Sequence, residues 1–135
     1  MFSRVFGRFD VWALTLLRIV TGLLFWQHGA RKLFGLLGGE PVDFLTLRWF
    51  AGVLEFFGGL AVGVGLFTVP VAFLLSGEMA FAYFMSHAPE GFWPIQNNGE
   101  RAVLFCFIFL YLATVGGGRL TLDGLFFSRD SGEEE

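Results

Sequence analysis

Four runs of apolar residues divide this chain, at about 11–37, 47–67, 70–88 and 99–115. Each is near the roughly 17–25 residues that a helix needs to cross a bilayer. None alternates with period two, which argues against a membrane β-barrel. Backbone groups in hydrocarbon must be satisfied within their own segment, and helices do that. Only 16% of the 135 residues are charged and 55% are hydrophobic. That is too little charge to coat one soluble domain, so lipid is the expected solvent for much of the exterior. The expectation is an all-α, transmembrane, antiparallel four-helix bundle over residues 11–118, with an N-terminal tail at 1–10 and a polar C-terminal tail at 119–135.

The breaks between segments agree. Gly38-Gly39-Glu40-Pro41 separates the first two, and Thr68-Val69-Pro70 the next two, with Pro70 suited to a first helical position. Pro89 and Pro94 punctuate the third break. Asn97 or Asn98 is placed to cap the fourth helix, where Glu100 would favour the first turn. Gly116-Gly117-Gly118 ends it. In the C-terminal tail, Leu125-Phe126-Phe127 forms a short apolar patch suited to a membrane surface. Arg4 and Arg8 precede the first run as they would in a signal peptide. The run is too long for a signal core, and no small-residue cleavage site follows it, so it is read as a retained helix.

Charge excludes some functions. The net charge of −3 comes largely from Glu133–Glu135, and no basic stripe suggests nucleic acid. Cys106 is the single cysteine, so no intrachain disulfide, CxxC pair or cysteine-ligated cluster can form. No metal site is expected. The expected partner is the lipid bilayer, with oligomerisation open. Positive charges are evenly shared: Arg4, Arg8, Arg119 and Arg129 on one side, Arg31, Lys32, Arg48 and Arg101 on the other. The first helix usually dominates orientation, which favours cytoplasmic termini in a multi-pass cell-membrane protein.

An up-down-up-down bundle gathers the polar segment ends on one side: His28, Arg31, Lys32, Arg48, His87, Asn97, Asn98, Glu100 and Arg101. Arg18, Glu55 and Glu78 lie inside the apolar runs. Uncompensated charges at mid-bilayer cost about 2.5–3.5 kcal/mol each on insertion scales, so these three are expected to face inward and meet. From a rise of about 1.5 Å per residue, Arg18 and Glu78 come out about 10–12 Å deep from the terminal side. Glu55 and His28 come out about 10 Å deep from the other side. Two pairings follow as expectations: Arg18 with Glu78, and His28 with Glu55. The candidates for ligand binding or proton relay are therefore Arg18, His28, Lys32, Glu55, Glu78, His87, Asn98 and Glu100. On the first helix Arg18, Gly22, Phe25 and Gly29 form one stripe. On the second, Gly59 and Gly63 form a small-xxx-small pattern that allows close helix approach.

These residues carry a resemblance. Leu17-Arg18-Ile19 is followed by Gly22, then by His28-Gly29 with Lys32-Leu33 and Gly35. Gly52-Val53-Leu54-Glu55 follows with Gly58-Gly59 and Gly65-Leu66-Phe67-Thr68. Ala82, His87, Asn98-Gly99-Glu100, Gly116-Gly117-Gly118 and Leu122-Asp123 complete the order. In this order and spacing the chain resembles the DoxX family of small four-helix membrane proteins. It departs after Thr68, where the family often has a basic residue and Val69-Pro70 stand here. The resemblance implies a membrane bundle and, from some relatives, quinone-coupled oxidation of sulfur compounds or a role in oxidative or quinone stress. It supplies no agreed set of catalytic residues.

Three functions fit the sequence. The first is a quinone-linked redox subunit with a buried Arg/Glu/His site. Quinone is its expected ligand, it would need a membrane or soluble redox partner, and a haem clamped by the two histidines is the lesser reading. The second is a non-catalytic membrane partner or assembly protein, whose buried charges are structural. The third, a small-solute carrier, ranks last, because no pair of broken helices is evident.

Overall fold

The computed structural model describes residues 2–130, and the acidic residues Glu133–Glu135 lie outside them. Among the described residues all regular structure is helical: α1 (Phe2–Phe6), α2 (Asp10–Phe34), α3 (Leu47–Val64), α4 (Thr68–Ala82), α5 (Pro94–Asn97), α6 (Glu100–Val115) and α7 (Leu122–Asp130). A π turn at Tyr83–His87 and a 3₁₀ turn at Ala88–Glu90 extend α4. Three helical stretches are long and apolar enough to cross a membrane: Ser3–Phe34, Leu47–Val64 and Thr68–Glu90. At 16 residues, α6 has a rise of about 24 Å and is shorter than each of these three stretches.

Several boundaries differ from those expected. Residues 3–10 are not a tail but the first turns of one helical stretch that runs to Phe34. That stretch ends three residues before Leu37, because Gly35 adopts a left-handed cap (φ 66°) and donates to the Arg31 carbonyl. Pro70 is the third residue of α4, not the first. Phe67 takes the strained left-handed N-cap position (φ 48°), and Asp123 accepts from the amides of Phe67 (2.9 Å) and Thr68 (3.4 Å). The residue before α6 is Gly99, whose amide donates to Asn97 Oδ1 at 2.8 Å, so an asparagine side chain serves the helix start from two residues upstream. Within the C-terminal tail, Leu122–Asp130 form α7, which contains Leu125-Phe126-Phe127.

Two helix pairs build the bundle. α2 lies along α3, α4 lies along α6, and α3 meets α4 more lightly. Glycine explains the first pair. A Cβ placed on Gly22 would stand 2.5 Å from the Gly63 nitrogen, and one on Gly59 would stand 2.6 Å from the Trp26 nitrogen. A Cβ on Gly29 would fall on the Phe56 backbone. Gly22/Gly29 on α2 and Gly52/Gly59 on α3 each recur at seven residues, which keeps one seam facing its partner along two turns. The expected Gly59/Gly63 pattern is thus half right: the nearest atom to a Cβ on Gly63 is 4.0 Å away.

The second pair packs by side chains. Phe109 and Leu112 of α6 join Ala72, Leu75 and Met79 of α4, with Phe25 edge-on to Phe109 at 4.9 Å. Ser76 donates to the Cys106 carbonyl at 2.8 Å, which ties α4 to α6. Outward surfaces are apolar: Phe57, Phe73, Leu104 and Phe107 are all more than 60% exposed, while Arg18 is wholly buried and Glu55 is 3% exposed. That inversion of a soluble protein suits a chain whose exterior is solvated by hydrocarbon.

Candidate functional site

The inward charges do not form one nest. They form two, at opposite ends of the bundle.

At the terminal end, Arg18 points along α2 towards the segment that follows α6. Its Nη1 donates to the Gly117 carbonyl (2.9 Å) and its Nη2 to the Leu120 carbonyl (3.0 Å). The Arg119 amide donates to Thr15 Oγ1, one turn away on α2, at 2.9 Å. Asp123 spans the α3–α4 turn, donating its amide to Gly65 O and accepting from Phe67 and Thr68. The expected pairing of Arg18 with Glu78 is therefore overturned. The reason is local: the non-helical segment after α6 leaves the carbonyls of Gly117 and Leu120 without helical partners, and a guanidinium fork satisfies both without a carboxylate.

At the other end, a cleft of about 890 Å³ lies between α2, α3, α4 and α6. His28, Lys32, Glu55, Glu78, His87 and Asn98 line it, so six of the eight candidates share one cavity. Arg18 and Glu100 are not among its lining residues. Lys32 Nζ donates to Glu55 Oε1 at 2.7 Å, which overturns the expected His28–Glu55 pair. The longer lysine side chain reaches across the glycine seam. His28 instead turns its ring edge-on to Phe105 of α6, at 6.2 Å between centroids.

Glu78 enters the same cleft from α4. Both of its carboxylate oxygens are buried and have no hydrogen-bond partner, and Glu55 Oε2 is in the same condition. Depth alone sets Glu78 at the terminal end because it lies almost midway along the stretch Thr68–Glu90. Its face on the helix, which rise alone does not report, turns it to the other side. The surrounding wall is mainly apolar, with Phe25, Phe105, Leu54 and Met79 among its residues, while Arg48 and Arg101 join it from the helix ends. Beside it, Arg31, Arg48, Glu40 and Asp43 line a second, more polar cleft of about 620 Å³ that also touches His28 and Lys32.

The rim is built by a residue that the candidate set omitted. Asn97, 3% exposed, donates from Nδ2 to Tyr83 Oη (3.2 Å) and to Gly91 O (2.9 Å), and accepts from Gly99 N. Its carbonyl is 3.0 Å from His87 Nδ1. Asn98 lines the cleft but is exposed and left-handed (φ 59°). The sequence signal was an asparagine two residues before a helix start, which did not distinguish one asparagine from the next.

The comparisons with known proteins come to the same segments. The DoxX family model matches residues 13–88, more than half of the chain and all of α3 and α4. A protein of Haemophilus influenzae described as "Uncharacterized protein" is 41% identical over 123 residues, covering 86% of this chain and 92% of that one. No solved structure matches.

Proposed function

Because the chain belongs to the DoxX family, we propose that it is a quinone-linked redox subunit of the membrane, and that the cleft holds the quinone ring. The observation that carries this reading is Glu78: two carboxylate oxygens without a hydrogen-bond partner, set in a mainly apolar cavity. Leaving a buried polar group unpaired costs about 1–3 kcal/mol, and more when it is charged. A ligand with hydroxyl donors on an apolar ring recovers that cost, and a quinol has both features. The volume lies within the range of small-molecule sites.

Bound there, a quinone supplies two-electron, two-proton exchange. The chain supplies the rest. Glu78 accepts or returns a proton at its carboxylate. Glu55 forms a second proton station, held in place by Lys32. His28 and His87 stand nearer the helix ends and pass protons towards water. With a single cysteine and no nucleotide-binding fold among the described residues, the chain offers no carrier for the electrons, so a membrane or soluble redox partner protein would give both electrons to the bound quinone. We place it in the cell membrane as a multi-pass protein with cytoplasmic termini, so that the cleft opens on the opposite side.

The test is binding of a quinol to the full chain in nanodiscs, for the wild type, Glu78→Leu, Glu78→Gln and Arg18→Lys. Glu78→Leu should abolish binding, Glu78→Gln should weaken it, and Arg18→Lys should leave it unchanged. A wild type that binds no quinol overturns the reading.

A second reading, a non-catalytic membrane partner, draws on one observation. Phe92 and Trp93 just before α5, and Ile95 within it, are 82%, 60% and 78% exposed. They offer an apolar contact on the cleft side. Co-purification of another membrane protein, lost in Phe92→Ser with Ile95→Ser while quinol binding persists, would favour it.

A further inference from the structure

The cleft has an opening on its flank. Its lining residues from α2 and α6 are buried or half-buried apart from Arg101 at the rim, where Asn98, just before α6, is exposed as well. Its exposed apolar lining comes instead from α3 and α4: Leu47 and Phe50 on one side, Phe73 and Phe81 on the other. These helices are joined by the turn at Gly65–Phe67 at the terminal end and meet lightly elsewhere. Both helices present exposed apolar lining to the cleft, so the gap that opens it lies between them, with Glu78 among its lining residues.

Gly77 sits in that gap. It precedes Glu78, it shares a helix face with Phe73 and Phe81 at spacings of four, and it is exposed. A Cβ placed on it meets no atom within 4 Å. Gly22, Gly29, Gly52, Gly58 and Gly59 are different, held against neighbours that a Cβ would strike, whereas Gly63, with its nearest neighbour 4.0 Å away, shares the freedom of Gly77 but does not line the cleft. Packing therefore does not require a glycine at 77, although glycine costs a helix about 1 kcal/mol relative to alanine. An open passage does.

We propose that the gap between α3 and α4 is a lateral portal through which the hydrocarbon tail of the membrane-dissolved quinone lies out into the bilayer, and that Gly77 keeps it open. This rests on the quinone reading and adds to it the ligand's route and tail. With the ring against Glu78, the polar end is inside, the tail passes Gly77, and the apolar walls of α3 and α4 continue the bilayer's own solvent. A ligand arriving only from water would need no such flank.

The test compares two ligands of the same ring, one with a long isoprenoid tail and one with a methyl group in its place. Both are titrated into nanodiscs holding the wild type, Gly77→Ala or Gly77→Leu. Gly77→Leu should weaken the tailed ligand by about tenfold, the scale of overpacking a filled slot, and change the tail-less one by less than about twofold. Gly77→Ala should fall between wild type and Gly77→Leu, and equal or higher melting temperatures of the variants would show that the bundle is intact. Equal effects on the two ligands, or none on either, overturn the portal and leave the quinone reading standing. If the wild type binds neither, that reading fails, and the portal is judged by a phospholipid with a photoreactive diazirine in its acyl chain. Labelling of the Glu78 peptide in wild type but not in Gly77→Leu, with the Phe107 peptide labelled in both, would retain a portal for chains. Absence of that label from the wild type would remove it.

Discussion

Lys32 Nζ stands 2.7 Å from Glu55 Oε1 across the seam of α2 and α3, while Glu55 Oε2 has no partner at all. One cation thus serves one oxygen of a carboxylate that is almost wholly buried, and the second carboxylate of the cleft, Glu78, has none. The pair is asymmetric in water access: the lysine side chain is 26% exposed, the glutamate side chain 4%.

Breaking this pair from the lysine side should be costly. Lys32→Met leaves a buried carboxylate without its counter-charge, which destabilises by about 3–5 kcal/mol where the charge cannot move. Glu55→Gln strands only a half-exposed ammonium and should cost less. Lys32→Met combined with Glu55→Leu should recover much of the loss. Unfolding midpoints of the four proteins in one detergent would check this. A Lys32→Met variant as stable as wild type would show that the pair contributes nothing.

Arg18 should behave as a fastener for the C-terminal segment and not as part of the cleft. Its hydrogen bonds go to the carbonyls of Gly117 and Leu120, about a hundred residues downstream. Arg18→Lys keeps the charge but loses the fork that reaches two carbonyls at once. Amide exchange should rise across 117–127, and the bundle should lose about 2–3 kcal/mol, the worth of one or two charged hydrogen bonds. Asp123→Ala should raise exchange in the same segment and at the amides of Phe67 and Thr68. Exchange unchanged from 117 to 127 in Arg18→Lys would contradict this assignment.

That division into two nests marks where reading the sequence stopped. The apolar runs gave the helical bundle, because length and hydrophobicity alone decide whether a helix suits a bilayer. They also gave four residues of the cleft, His28, Lys32, His87 and Asn98, because up-down connectivity gathers alternate helix ends; Glu55 and Glu78 stood out as charges inside the runs, with Glu78 expected at the opposite end. They did not give partners. Arg18 was assigned to Glu78 by depth, yet depth is one coordinate of three, and a backbone carbonyl bears no letter that distinguishes it as an acceptor. Lys32 is legible as a cation near a helix end, but its reach across a seam without side chains appears only once the glycines face one another. The extended N-terminal helix was missed for a plainer reason: Arg4, Arg8 and Asp10 lower the hydropathy of turns that are helical all the same.

The glycine seam makes a sharp contrast between neighbours in sequence. Gly22→Ala sets a methyl group 2.5 Å from the Gly63 nitrogen, and Gly29→Ala sets one on the Phe56 backbone. Neither neighbour is a side chain that can turn away, so each variant should lose at least about 1–3 kcal/mol, as overpacked sites do. Gly63→Ala, with its nearest neighbour 4.0 Å from the new carbon, should be neutral or gain up to about 1 kcal/mol of helix propensity. Melting temperatures in detergent would separate the three. Similar melting for Gly22→Ala and Gly63→Ala would mean that α2 and α3 are further apart than described.

Asn97 and Asn98 offer the last contrast, because the two are adjacent, identical and unequal. The side chain of Asn97 donates to Tyr83 and Gly91 and accepts from Gly99, so it ties the π turn of α4, the loop and the start of α6 at one buried point. Its own carbonyl holds His87 Nδ1. Asn97→Ala should remove the three side-chain bonds, at about 0.5–1.5 kcal/mol each before any penalty for the groups left unpaired. The carbonyl would remain, but the loop that places it would not be held. Amide exchange should therefore rise from 91 to 99, and a quinol bound in the cleft should lose affinity through the rim and not through Glu78. Asn98 occupies a left-handed position with φ 59° and an exposed side chain. Glycine suits that backbone at little steric cost, so Asn98→Gly should leave both exchange and affinity near wild type. If instead Asn98→Gly loosened the loop and Asn97→Ala did not, the hub would lie on the wrong asparagine, and the placement of His87 at the rim would go with it.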